Sequence, residues 1–185
     1  MSTSSKVSII FIIVAITLGY SIYHKSKVDS YVDESRDYIL KSLPSVKLDN
    51  FADNSEVELQ DLARNSNGLV VHFWGTWCAP CEAEFPEFVE FARKLEEKNV
   101  KVVFMAVKDD DMKIKKFLKR FNNLPSNSLV IHDQAGISMS KLGVVKVPET
   151  FVFNSKLEHR IMFKGPQDWK MDSYFIRVLS YLGVK

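Results

Sequence analysis

Cysteine is scarce: the 185 residues hold two, Cys78 and Cys81, which excludes a multi-bridge secreted scaffold and leaves a single pair for any thiol chemistry. Net charge is also small, +2 from 25 basic and 23 acidic residues. A nearly neutral chain has no broad basic field for phosphate backbones, so nucleic acid is not an expected partner. His24, His72, His132 and His159 show no metal-ligand spacing, and no haem-attachment histidine follows Cys81, where Glu82 stands. There is no internal repeat and no low-complexity tract. With 46% hydrophobic and 26% charged residues, the composition is that of one folded domain with some extra length.

The extra length is at the start. No acid precedes Asp29, and Val7–Tyr23 is a run of 17 uncharged residues between Lys6 and His24-Lys25. As a helix it rises about 25 Å, the short end of a bilayer span. It reads as an uncleaved signal anchor covering residues 1–24, with a cleaved secretory signal as the alternative; both export the rest of the chain. Residues 25–44 carry Val28, Tyr31, Val32 and Ile39 near one helical face and are expected to form a helical spacer ending at Pro44. Residues 45–185 are the globular domain.

That domain alternates strand and helix signals. Strands are expected at Glu56–Gln60, Leu69–Trp74, Val100–Val107, Leu129–His132, Thr150–Phe153 and Leu157–Gly165. Helices are expected at Cys78–Lys98, kinked by Pro86, at Asp109–Phe121, at Gly136–Leu142, and from an Asp168 cap to Leu182. Asp109, Asp110 and Asp111 read as a solvated first turn matched to the helix dipole. Two βα units followed by a hairpin and a helix predict an α/β domain with a mixed sheet flanked by helices.

Cys78-Ala79-Pro80-Cys81 falls where a buried strand hands over to a helix. Cysteines at i and i+3 in a first helical turn are close enough to bridge, and the helix N-terminus stabilises the Cys78 thiolate. Cys78 then attacks a substrate disulfide and Cys81 resolves the mixed disulfide.

Residues 72–81, HFWGTWCAPC, followed by Glu84-Phe85-Pro86, resemble membrane-anchored thioredoxin-fold proteins of the TlpA/ResA kind, thiol–disulfide oxidoreductases often linked to cytochrome c maturation. Val147-Pro148-Glu149-Thr150-Phe151 and Gly165-Pro166-Gln167-Asp168-Trp169 extend the resemblance to the C-terminus. It implies a thioredoxin-like fold and a cis Val147–Pro148 bond against the cysteines, with Val147, Pro148, Glu149 and Trp77 meeting the substrate. It also implies a membrane thiol reductase as electron donor, apocytochrome c haem-site cysteines as the leading substrate, no cofactor, and a domain on the extracytoplasmic side of the cytoplasmic membrane. Glu84, one turn beyond Cys81, is expected to accept the proton that Cys81 loses. His72 stands where thioredoxins carry a buried aspartate. It is expected as a core histidine satisfied by backbone, with a proton-relay role as the alternative. General disulfide reductase or oxidase activity, or a non-catalytic redox-sensing module, remain the competing functions.

Overall fold

The computed structural model describes residues 5, 13–23, 40–121 and 123–184. The chain divides into two units, Met1–Ile39 and Leu40–Lys185. In the first, residues 13–23 form a helix, α1, whose Ile13, Ile16, Leu18 and Ile22 are exposed. Among the described residues no helix is long and apolar enough to cross a membrane. Of the expected anchor, residues 1–4, 6–12 and 24 lie outside the described residues, as do residues 25–39 of the expected spacer.

The second unit opens with an antiparallel pair, β1 (Lys47–Asp49) and β2 (Glu56–Glu58), and a short helix, α2 (Leu59–Arg64). Then come β3 (Gly68–Trp74), α3 (Ala79–Glu96), β4 (Val100–Val107), α4 (Asp111–Leu118), β5 (Ser128–Asp133), α5 (Ile137–Leu142), β6 (Glu149–Asn154), β7 (His159–Lys164) and α6 (Asp172–Leu182). The main sheet runs β5-β4-β3-β6-β7, parallel from β5 to β3 and antiparallel from β3 to β7. This is the mixed sheet expected from the sequence.

β3 sits at its centre and is buried along its whole length, so alternate side chains enter two different cores. Leu69, Val71 and Phe73 join Val103, Met105 and Phe151 on one face. Val70 and Trp74 join Val102, Phe104 and the α3 residues Phe85, Phe88 and Phe91 on the other.

Besides β1, for which no strand is expected, four segments differ from the sequence expectation. Residues 40–44, expected to close a helical spacer, instead run extended along the β6–β7 hairpin. Leu43 N donates to Leu157 O at 2.7 Å, His159 N donates to Lys41 O at 3.0 Å, and the Leu43 side chain is buried. Covering a sheet margin satisfies backbone groups that a free helix would leave to water. The expected strand Glu56–Gln60 stops at Glu58, because Leu59 and Ala63 bury one face of α2. α6 begins at Asp172, so Asp168 does not cap it; its carboxylate accepts from Lys170 N. α4 begins at Asp111, with Asp110 as its cap, and Asp109 falls outside the helix.

Candidate active site

The site grows from the C-terminal end of β3. Gly75, Thr76 and Trp77 turn the chain, Cys78 N donates to Gly75 O, and Cys78 becomes the N-cap of α3. Its Sγ accepts from Cys81 N at 3.3 Å, the position an N-cap oxygen normally fills. Pro80 sits in the first turn, where its missing N–H costs nothing. Cys78 and Cys81 are joined in a disulfide, with Cys78 6% exposed and Cys81 fully buried. Of the two, only Cys78 keeps any exposure.

The Val147–Pro148 bond is cis, and Val147 O stands 3.8 Å from Cys78 Sγ. Trp77, expected to meet the substrate, packs against Gly75, where a Cβ would come within 2.6 Å of the indole nitrogen. That nitrogen donates to Val107 O at 3.2 Å, leaving just over half of the side chain exposed to an arriving polypeptide.

Beneath the disulfide the structure brings Glu84 and His72 together. Glu84 is 5% exposed. Its Oε2 accepts from Gln167 N at 2.8 Å and from Trp169 Nε1 at 3.1 Å, so the Gly165–Trp169 loop is tied to α3 through this carboxyl. Oε1 faces His72 Nε2 at 3.6 Å, and neither atom has a hydrogen-bond partner. Burial pushes the Glu84 carboxyl up to about 7, with the two N–H donors pulling the other way. Burial pulls the His72 imidazole down to about 3, keeping it neutral. The expectation that backbone groups satisfy His72 is not met: Nδ1 pairs with Thr150 Oγ1 at 2.9 Å, and the ring stacks on Phe88.

Glu149, which follows the cis proline, is 4% exposed and has Oε2 unpartnered. Burial raises its pKa, against the pull of Lys164 and Lys146. It is therefore no ordinary surface strand residue.

Sequence reasoning missed Asp109. Its carboxylate accepts from Thr76 N, from Thr76 Oγ1 at 2.8 Å and from Asp110 N, clamping the loop that delivers Cys78. The available signal was its place as the first acid after a buried strand, opposite the cysteine loop. Among the described residues no His, Cys, Asp and Glu side chains gather into a metal site.

A family model described as Redoxin matches residues 41–173. This chain belongs to that family. Its relatives include the "Thiol-disulfide oxidoreductase ResA" of Bacillus thuringiensis subsp. konkukian, 28% identical over 160 residues and covering 86% of each chain. Another is the "Thiol:disulfide interchange protein DsbE" of Escherichia coli K12, 27% identical over 165 residues, 88% of this chain and 86% of that one. Among solved structures, a putative DsbE from Chlorobium tepidum superposes with a TM-score of 0.63 at 23% identity, covering 77% of this chain and 96% of its own. The fold of this redoxin is accordingly thioredoxin-like, and its activity is that of a thiol–disulfide oxidoreductase with Cys78 and Cys81 as the spaced pair.

Proposed function

We propose that this redoxin is an exported, membrane-tethered reductant of protein disulfides whose leading substrate is the cysteine pair of apocytochrome c. The observation that carries the direction is the setting of the cysteine pair: Glu84 lies one turn below Cys81 on α3, Glu149 adjoins the cis proline, and both acids are buried. Acidic neighbours oppose thiolate formation. A redox pair whose reduced form is strongly stabilised is an oxidant, so a pair denied that stabilisation is a reductant.

In the reduced protein, the Cys78 thiolate at the α3 N-terminus attacks a substrate S–S bond, forming a mixed disulfide and releasing one substrate sulfur as thiolate. Cys81 then gives its proton to the Glu84 carboxylate and attacks Cys78 Sγ. The second substrate sulfur leaves as thiolate, and the Cys78–Cys81 bond is regained. Two electrons have moved to the substrate. A membrane thiol reductase must return them for the next cycle, since an exported domain has no access to cytoplasmic reductants.

The tether reading rests on the uncharged run Val7–Tyr23 and on the exposed apolar residues of α1. It places the redox domain on the extracytoplasmic side of the cytoplasmic membrane. The test is Cys81→Ser in the full chain, expressed in cells that make c-type cytochromes. Mixed disulfides should freeze on Cys78, and mass spectrometry should find cytochrome c polypeptides or their assembly proteins among them. A catch without them removes the maturation role and leaves a general reductase. Extraction of the chain from membranes by alkaline carbonate overturns the tether.

A further inference from the structure

β3 and β6 are antiparallel, and their register sets His72 directly opposite Thr150. Opposed residues project to the same face of a sheet, so the ring and the hydroxyl meet inside the core, at 2.9 Å. α3 lays Phe88 flat on the ring at a centroid distance of 4.0 Å, and Phe104 of β4 meets it edge-on. The imidazole is thus fixed in plane, with Nδ1 on Thr150 and Nε2 aimed at Glu84 Oε1.

What lies at each nitrogen decides which hydrogens the ring can carry. A backbone carbonyl at Nδ1 can only accept and would lock one tautomer. A hydroxyl both donates and accepts, so Thr150 satisfies Nδ1 whether or not that nitrogen bears hydrogen. The opposite end holds two facing, unpartnered atoms, Nε2 and Oε1, at 3.6 Å. Buried polar atoms are ordinarily paired, and these two become so with a few tenths of an ångström of closure once one of them donates.

We propose that His72 and Thr150 form a tautomer switch that serves both protonation states of Glu84. With the carboxyl ionised, Nε2–H donates to Oε1 and Nδ1 accepts from the Thr150 hydroxyl. With the carboxyl protonated, Oε1–H donates to Nε2 and Nδ1–H donates to Thr150 Oγ1. The hydrogen count balances: the ring carries one N–H and the threonine one O–H in both states, and Glu84 alone gains the proton. His72 and Thr150 are positioning residues, and the inference rests on the reading of Glu84 as the acceptor of the Cys81 proton.

The surroundings favour a neutral ring throughout. From β6 the ring meets a hydroxyl, from β4 and α3 phenylalanines, and from α3 the Glu84 carboxyl. Glu84 itself faces two N–H donors of the Gly165–Trp169 loop, and on its own helix it has Cys81 and Glu87, the latter bonded to Lys170. Desolvation leaves the carboxyl titrating near 7 while the imidazole stays uncharged well below that.

The experiment is nitrogen NMR of the full oxidised chain labelled with 15N-histidine, between pH 5 and 9. His72 should pass from the Nδ1–H to the Nε2–H tautomer as pH rises, with a midpoint matching the Glu84 carboxyl resonance and without an imidazolium signature. Thr150→Ser should retain the switch, Thr150→Val should displace its midpoint by about one pH unit, and Glu84→Gln should freeze a single tautomer. The His72 signals are assigned by their loss in His72→Asn or, should that variant not fold, by their response to Thr150→Ser. One fixed tautomer across the range, an imidazolium within it, or a switch that survives Glu84→Gln overturns the proposal. Failure of the Cys81→Ser trap alongside an intact switch removes only the substrate reading, whereas a fixed tautomer with substrates trapped removes only the switch.

Discussion

The two faces of the central sheet are drawn from the same strands yet are filled by different rules. One takes Leu69, Val71 and Phe73 from β3 and Val103 and Met105 from β4, and meets buried acids only at the strand ends, Glu149 opposite Phe73 and Asp133 opposite Val107. The other takes Val70 and Trp74 but places His72 between them, and seats Glu84 and the disulfide under the same helix. Along the middle of the first face, where the side chains only exclude water, shape alone suffices. A face that must move a proton keeps groups whose burial is unfavourable, and the neighbouring apolar core supplies the stability that tolerates them.

The sharpest break of this comparison is one substitution on each face. Cys78→Ser should reduce turnover of insulin disulfides to background while the domain still folds. Phe73→Ala, on the apolar face, should cost about 3–5 kcal/mol in urea unfolding and leave turnover per folded molecule within about twofold. An active Cys78→Ser protein, or a Phe73→Ala protein that is stable and slow, would erase the division.

Glu84→Gln tests the chemical face from the stability side. The folded carboxyl is raised above the 4.5 of an unperturbed glutamate, to about 7. A raised acid contributes full stability below the unfolded value, and that contribution is lost as pH climbs through the folded one. The wild-type oxidised protein should therefore weaken between about pH 4.5 and 7, by no more than about 3 kcal/mol. Glu84→Gln should lose this component and keep only the shallower dependence that Glu149 contributes, matching wild type at acid pH and exceeding it at pH 8. Resolution of a mixed disulfide by Cys81 should slow about 10²-fold or more at pH 7, the usual worth of a positioned base. Parallel pH curves for the two proteins would show the carboxyl to be an ordinary exposed acid.

The sequence carried much of this in recoverable form. The apolar runs of β3 and β4 are central strands by composition, and Cys78-x-x-Cys81 at a strand-to-helix junction names its own chemistry. The cis bond came from resemblance to a family, since nothing local to Val147-Pro148 specifies it. α2 was lost because six residues give one buried pair, Leu59 and Ala63, too few for a period to register. The strap at Leu40–Pro44 was lost because its partners, Leu157 and His159, are more than 100 residues away in the chain. His72 and Glu84 each stand out in the sequence, but nothing in it pairs them. Their meeting depends on how α3 crosses β3, and the hydroxyl that completes the set comes from a third element, β6.

Asp109 gives the smallest effect and the finest distinction. It lies two residues beyond β4 among three consecutive aspartates, all of which suit a helix N-terminus, so the run itself conceals that one of them points elsewhere. Glu84 and Glu149 each leave one oxygen unpartnered, whereas both oxygens of this buried carboxylate accept hydrogen bonds, holding Thr76 N and Oγ1 and so the approach to Cys78. Asp109→Asn keeps the shape but weakens a charged acceptor, and should lower stability by about 1–2 kcal/mol. Alkylation of reduced Cys78 should change by less than about tenfold, because the loop loosens while the helix terminus that favours the thiolate stays in place. The midpoint of its pH profile should not move. A displaced midpoint would mean that Asp109 acts on the thiol electrostatically, and the face that does the chemistry would then extend beyond α3 to the end of β4.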